Sequence, residues 1–359
     1  MKICFLAPAN SAHIEKWSGY FVSQGHEVHI ISFTPGEIPG TTVHLIDCGA
    51  AGDSSDAKKL RYLLKAGAVR KLVREIHPDI INAHYATSYG TVAALAGLKN
   101  YIVSVWGADI YDFPNKSPLH KALLKFCLAR APHLFSTSRA MADEAAKYTG
   151  KPFDITPFGV NMELFCPDRR DRTDHDFVIG TVKALSYKYG IDYLVKASAI
   201  LLKENPDMPL RLRIAGKGPE AEAFKRLAED CGIADRVAWL GFISQEQAAK
   251  EWANMDLAVV YSTLNSESFG VSAVEAQACG CPTIIADVPG LMEATWPGVT
   301  SVVVPRKDER ALADAIFALY SDAEKRKELG MRGRQFVLDN YEYRLCFKKI
   351  EQLFQTIKA

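Results

Sequence analysis

The stretch Ser262–Glu293, STLNSESFGVSAVEAQACGCPTIIADVPGLME, narrows the choice of fold more than any other part of the chain. An apolar run, Asp256–Tyr261, leads into it, and a second, Pro282–Ala286, follows the helical segment Gly270–Cys279 that Gly280 closes. Strand, loop, helix, strand in this order predicts a parallel crossover unit. The start of the helix leaves the N–H groups of Gly270, Val271 and Ser272 without partners inside it. Free donors and the helix dipole together favour an anion there. Gly270, lacking a side chain, lets a phosphate come close. Glu267 on the loop and Glu275 in the helix have seven residues between them. At about 1.5 Å of rise per residue, that spacing is too long for one catalytic pair. It suits a grip on two ends of an extended ligand with an anion between, as in a sugar nucleotide. A surface glutamate and an unrelated helix glutamate would give the same pattern.

The N-terminus repeats the unit. Ile3–Ala7 reads as a strand, Ala12–Gln24 as an amphipathic helix ended by Gly25-His26, and Glu27–Ser32 as the next strand. Further strands are expected at Thr42–Leu45, Asp79–Ala83, Tyr101–Val105 and Pro132–Thr137. Ligands of open α/β sheets gather at the carboxyl ends of strands. His84 and Asp109 follow two such ends, and His13 opens the first helix, so all three are candidate acceptor-side residues. At 359 residues, two domains are expected. A net charge of +1 gives no reason to expect a nucleic-acid partner. Eight scattered cysteines, only Cys279 and Cys281 close together, form no zinc pattern and suggest buried thiols in a reducing, cytoplasmic compartment. The first residues lack the long apolar region of a signal peptide, and no apolar run is long enough to span a membrane. A long basic helix is expected at Asp56–Glu75, with Lys58, Lys59, Arg61, Lys65, Arg70, Lys71 and Arg74. It is either a solvated face or a surface for anionic lipid heads at the inner membrane face.

The two glutamates, with Ala276, Ala278, Gly280, Pro282, the apolar strand and Gly290, resemble the C-terminal core of the retaining glycosyltransferases of family 4, which have the GT-B fold. Other segments carry the same resemblance. Gly25-His26-Glu27-Val28 is similar to the family's opening, although Pro8–His13 replaces its usual glycine pair. Trp106-Gly107-Ala108-Asp109 is similar to a segment that carries a histidine where this chain has Trp106. An indole stacks on a sugar ring but exchanges no proton at neutral pH. Thr156–Asn161 with Phe165 and Pro167 resembles the close of the family's first domain. The charged run Asp168–Asp176 then reads as a linker. Its Asp174-His175-Asp176 matches a metal-binding DxD literally, but reads as solvated linker.

In the second half, Lys183 and Lys188 of KALSYKYGID resemble the family's Arg/Lys pair, with lysine at the first position. Fixed cations there would stabilise a diphosphate leaving group without a metal. Gly216-Lys217-Gly218, after the strand Leu210–Ala215, resembles a turn that approaches the nucleotide base.

The resemblance implies a GT-B α/β fold: two doubly wound, Rossmann-like domains facing an inter-domain cleft. An acceptor-side domain would span residues 1–167 and a nucleotide-sugar domain 177–340, with helix 341–359 packing back on the first. The implied activity is retaining transfer of a hexose from a nucleoside diphosphate sugar, UDP being the commonest in the family. The acceptor would be a glycan, a lipid-linked molecule or a small molecule, and no cofactor or metal is expected. Glu267, Lys183 and Lys188, with His84 and Asp109, would serve the chemistry. Gly216, Phe269, Gly270, Val271 and Glu275 would complete the donor site. His13, His84, Trp106 and Asp109 would face the acceptor. The alternatives are a sugar-nucleotide 2-epimerase of the same fold and a two-domain sugar-binding protein without catalysis.

Overall fold

Apolar strand runs without alternation require a sheet covered on both faces, and the chain builds two of them. The computed structural model describes residues 1–49 and 61–358. The first sheet has seven strands: β1 Lys2–Leu6, β2 Glu27–Ser32, β3 Thr42–Leu45, β4 Ile80–His84, β5 Tyr101–Val105, β6 His133–Ser136 and β7 Asp154–Ile155. They lie in the order β3-β2-β1-β4-β5-β6-β7 and every pairing is parallel. The second has six: β8 Phe177–Val182, β9 Leu210–Ala215, β10 Val237–Gly241, β11 Leu257–Val260, β12 Thr283–Ala286 and β13 Ser301–Val304. Their order is β10-β9-β8-β11-β12-β13, again all parallel. Ile3, Cys4, Phe5 and Leu6 of β1, and Leu257 to Val260 of β11, are all buried. This is the doubly wound α/β class expected from the sequence.

The strand order decides where ligands can go. In each sheet it reverses beside the first strand, between β1 and β4 and between β8 and β11. Neighbouring connections there leave in opposite directions and open a crevice at the carboxyl ends. His84 ends β4, Lys183 follows β8, and Ser262 lies just beyond β11.

The chain forms two units, Met1–Phe158 with Arg344–Ala359, and Gly159–Tyr343. The first therefore ends nine residues before the expected position, 167, because the following segment bonds within the second. Val160 N–H donates to Tyr341 O at 2.7 Å, and Tyr343 N–H donates back to Val160 O at 3.0 Å. Arg170 and Arg172 both pair with Asp256, at 2.8 and 2.5 Å. The run 168–176 is thus bonded to its own unit rather than being a free linker. Asp174 pairs with Arg172 at 3.2 Å and Asp176 with Arg211 at 3.4 Å.

The last helix, Tyr343–Lys358, completes the first unit. Phe347 packs on Trp17 and Tyr20, Phe354 stacks on Phe21, and His26 Nε2 lies 2.7 Å from a Glu351 oxygen. The basic helix expected over 56–75 is not continuous. Residues 56–60 lie outside the described residues, 61–63 are helical, and Ala66–Ile76 forms a separate helix. Turn bonds from Leu64 N–H to Arg61 O and from Lys65 N–H to Tyr62 O break it. Tyr62, buried and stacked on Phe33, anchors that turn.

Candidate active site

The second unit gathers its charged candidates around one carboxylate. Lys183 leaves the end of β8, while Glu267 sits on the loop between β11 and the helix Val271–Ala278. Adjacency of β8 and β11 brings the two together, with Lys183 Nζ 2.7 Å from Glu267 Oε2. Ser262 Oγ donates to the same oxygen at 2.9 Å, and Gly270 N–H donates to Oε1 at 3.1 Å. Burial alone would raise the Glu267 carboxyl, but Lys183, Ser262 and Lys188 outweigh it and hold it below its ordinary value. Burial likewise opposes the charge on Lys183, yet Glu267, Tyr189 and Glu275 hold its pKa above the usual lysine value. Both groups are therefore charged at neutral pH.

The sequence treats the amide of Gly270 as free for an anion. Here it is taken by Glu267, because Gly270 adopts φ 76° and turns its N–H back toward the loop. A Cβ there would stand 2.6 Å from Leu291 Cδ2. Ser272 adds a hydroxyl donating to Val182 O at 2.9 Å, which fixes the helix start against the end of β8. Phe269 is buried edge-on against Tyr341, a packing residue beneath the loop. Glu275 is half-buried in the helix, and its charge reaches Lys183.

Lys188 lies on a short 3-10 turn, Tyr187–Tyr189, and its Nζ donates to Ser266 O at 3.1 Å. Thr263 N–H donates to Lys188 O at 2.8 Å, so turn and loop are joined by backbone as well. Beside them is a cavity of ≈ 450 Å³ lined by Lys183, Tyr189, Gly216, Lys217, Phe242 and Ser272, among others. Gly216 has φ 144°, and a Cβ on it would sit 1.8 Å from Lys183 O. The two segments touch through bare backbone, and only glycine allows it. Sequence reasoning gave no side-chain role to Ser262, Tyr189, Lys217, Phe242 or Ser272, although it named the Ser272 amide and the turn that contains Lys217. Tyr189 was the most accessible of these, standing between Lys188 and Gly190.

The first unit's candidates form an aromatic cluster at the ends of β1, β4 and β5. His84 is 0% exposed, and neither ring nitrogen has a hydrogen-bond partner among the described residues. Trp17, Trp106 and Phe5 enclose it at centroid distances of 5.0, 4.9 and 5.5 Å. Burial, then the charge of His13, lowers its pKa to about 3, so it is neutral at any ordinary pH. A sequence position at a strand end thus placed His84 near the crevice but not in it.

Asp109, also expected to take part in the chemistry, is 2% exposed and committed to backbone. Oδ1 accepts from Trp106 and Gly107 N–H at 3.1 and 2.9 Å, and Oδ2 from Ala86 N–H at 2.9 Å. It ties the π-helical turn Tyr85–Gly90 that follows β4 to the loop after β5. Burial raises its pKa, and those three donors oppose the rise. Tyr85, which opens that turn, has φ 69°, a strained conformation for an aromatic residue, held with its ring 4.8 Å from Trp106. His13 is half-buried, stacked on Phe158 at 4.4 Å and edge-on to Trp106 at 5.5 Å. Burial and then Lys16 lower its pKa to about 4. Among the described residues no cluster of three or more His, Cys, Asp or Glu could hold a metal ion. No described helix is long and apolar enough to cross a membrane.

Both units match known families. The family described as glycosyl transferases group 1 matches residues 167–336, and glycosyl transferase 4-like matches residues 2–138. A D-inositol 3-phosphate glycosyltransferase of Paenarthrobacter aurescens (strain TC1) is 32% identical over 327 residues, 81% of this chain and 77% of that protein. A GDP-mannose-dependent alpha-(1-6)-phosphatidylinositol monomannoside mannosyltransferase of Mycolicibacterium smegmatis is 29% identical over 279 residues, 74% of this chain and 72% of that one. Among solved structures, sucrose-phosphate synthase from Thermosynechococcus elongatus has a TM-score of 0.88 over 99% of both chains at 20% identity, a likeness of fold. Family matches on both units and relatives aligned along most of the chain lead to one conclusion: the chain belongs to the glycosyl transferases group 1 family and is a glycosyltransferase.

Proposed function

We propose that the chain is a retaining hexosyltransferase that takes a sugar from a UDP sugar, with no metal or other cofactor, and passes it to an acceptor hydroxyl. The observation that carries this reading is the convergence of Lys183, Lys188 and Glu267 beside the cavity that Gly216 borders. Lys183 and Lys188 would neutralise the diphosphate as its bond to the sugar carbon breaks. Glu267, already fixed by three donors, would hold the sugar's hydroxyls, and Glu275 the ribose hydroxyls. The amide of Val271 would add a donor at the helix start. The acceptor oxygen bonds to the sugar carbon on the face the phosphate leaves, and the departing phosphate oxygen takes the acceptor proton. Such a step needs no strong protein base, which accords with the burial of His84 and the backbone role of Asp109. Those two would position the acceptor side, with His13 and Trp106 nearer the acceptor.

UDP is proposed because uridine is the commonest donor base among the enzymes the motif resembles. The mannosyltransferase relative, named for GDP-mannose, favours GDP as the second reading. The acceptor would be a polyol, a glycan or a lipid-linked molecule; the first relative's name points to an inositol phosphate. Arg61, Arg70, Lys71 and Arg74 are exposed, which supports peripheral contact with anionic lipid heads at a cytoplasmic membrane face.

The test is transfer from UDP- and GDP-sugars to inositol phosphates and lipid-linked acceptors, with the product's anomeric configuration read by NMR. Retention is expected, and Glu267→Ala and Lys188→Ala should each lower the rate at least about 100-fold. Inverted product, isomerised donor without transfer, or full rates in both variants would overturn the reading.

A further inference from the structure

The two proposed diphosphate cations share an aromatic ring to which sequence reasoning gave no role. Lys183 Nζ lies 4.8 Å from the centroid of Tyr189, and Lys188 Nζ lies 5.3 Å from the same centroid. The two like charges repel each other; Glu267 pairs with Lys183, and Ser266 O accepts from Lys188. The negative face of an aromatic ring attracts both at once.

The ring's own position is fixed by backbone. Tyr189 ends the 3-10 turn Tyr187–Tyr189, and Gly190 follows it at φ 64°. A Cβ on Gly190 would stand 2.1 Å from Tyr261 O, so this turn is pressed against the end of β11. Tyr189 N–H donates to Ser186 O at 2.9 Å, closing the turn. The ring is half-buried and lines the same cavity as Gly216 and Ser272.

We infer that Tyr189 is a positioning residue of the donor site. Its ring gathers Lys183 and Lys188 into one diphosphate clamp before the donor arrives. This rests on the reading that those lysines bind a nucleoside diphosphate. The ring acts through its face, so the hydroxyl is dispensable and an aliphatic side chain of similar bulk does not substitute.

The experiment titrates UDP, GDP and uridine into wild-type protein, Tyr189→Phe and Tyr189→Leu. Uridine reports the base and ribose part alone. Leucine offers neither ammonium group an aromatic face, so Tyr189→Leu should bind the diphosphate roughly five- to thirty-fold more weakly. Its uridine affinity should stay within about two-fold of wild type, and Tyr189→Phe should match wild type within the same margin. If wild type binds a diphosphate and Tyr189→Leu binds it equally well, the inference fails while the donor site stands. Equal loss in Tyr189→Phe, or parallel loss of uridine affinity in Tyr189→Leu, also overturns it. If wild type binds neither diphosphate, the donor-site reading and the inference fall together.

Discussion

His84 shows how far a residue's sequence position and its chemical role can part. Its place at the end of β4 suggests an acid or base, but Phe5, Trp17 and Trp106 close over it. A folded-state pKa near 3 against about 6.5 in the unfolded chain has a measurable consequence. The unfolded state takes up a proton that the folded state refuses, so stability falls as pH drops from about 6.5 toward 3. At pH 5 the loss from this group alone is about 2 kcal/mol relative to pH 7.5. Urea unfolding of wild type and His84→Phe at both pH values checks this. The variant, which keeps the ring packing, should show a shallower pH dependence; an unchanged slope would mean that His84 is not held neutral. Glu267 and Lys183 make the complementary case. Glu267 is buried and Lys183 half-buried, each with its charge intact because the other lies 2.7 Å away. The chain separates them by more than eighty positions, and nothing local in the sequence announces the pair. It follows only from the strand order, which puts β8 beside β11.

Among the elements, the helix Val271–Ala278 and its entry loop were largely legible. Glycine, a run of small apolar residues and a closing glycine mark it, and its observed bounds differ by one residue at each end from the expected ones. Its capping was not legible. The sequence suggests open amide donors, whereas the Glu267 side chain reaches back to cap Gly270. That depends on φ 76° at Gly270, which a sequence hints at but does not specify. Gly270→Ala should therefore destabilise the second unit by about 1–3 kcal/mol, since the new methyl meets strain in φ and Leu291 Cδ2 together. It should weaken nucleotide binding at the same time. Thermal unfolding and calorimetry on the same preparation would show both; a variant as stable as wild type would mean the helix entry does not require glycine. The basic segment is the opposite case. Helical periodicity ran through Leu64 and Lys65, but burial of Tyr62 against Phe33 favours a turn there.

At the scale of the whole molecule, alternating strands and helices were enough to specify two parallel doubly wound sheets, because only coverage on both faces satisfies such apolar strands. The unit boundary was less legible. Charge made 168–176 look like a solvated linker, yet its arginines converge on Asp256 and bind it into the second unit. The chain's return to the first unit was expected from the resemblance over 341–359, and it occurs at Arg344, just after Val160 pairs with Tyr341 and Tyr343. The residues of the proposed donor site all lie within the second unit. Calorimetric titration of UDP, GDP and ADP in the presence of EDTA addresses it directly. One of these should bind wild type without metal, and Lys188→Ala and Glu275→Ala should each weaken it by at least about ten-fold. Binding only when Mg²⁺ or Mn²⁺ is supplied, or equal affinity in both variants, would contradict a diphosphate site built from these lysines and glutamates.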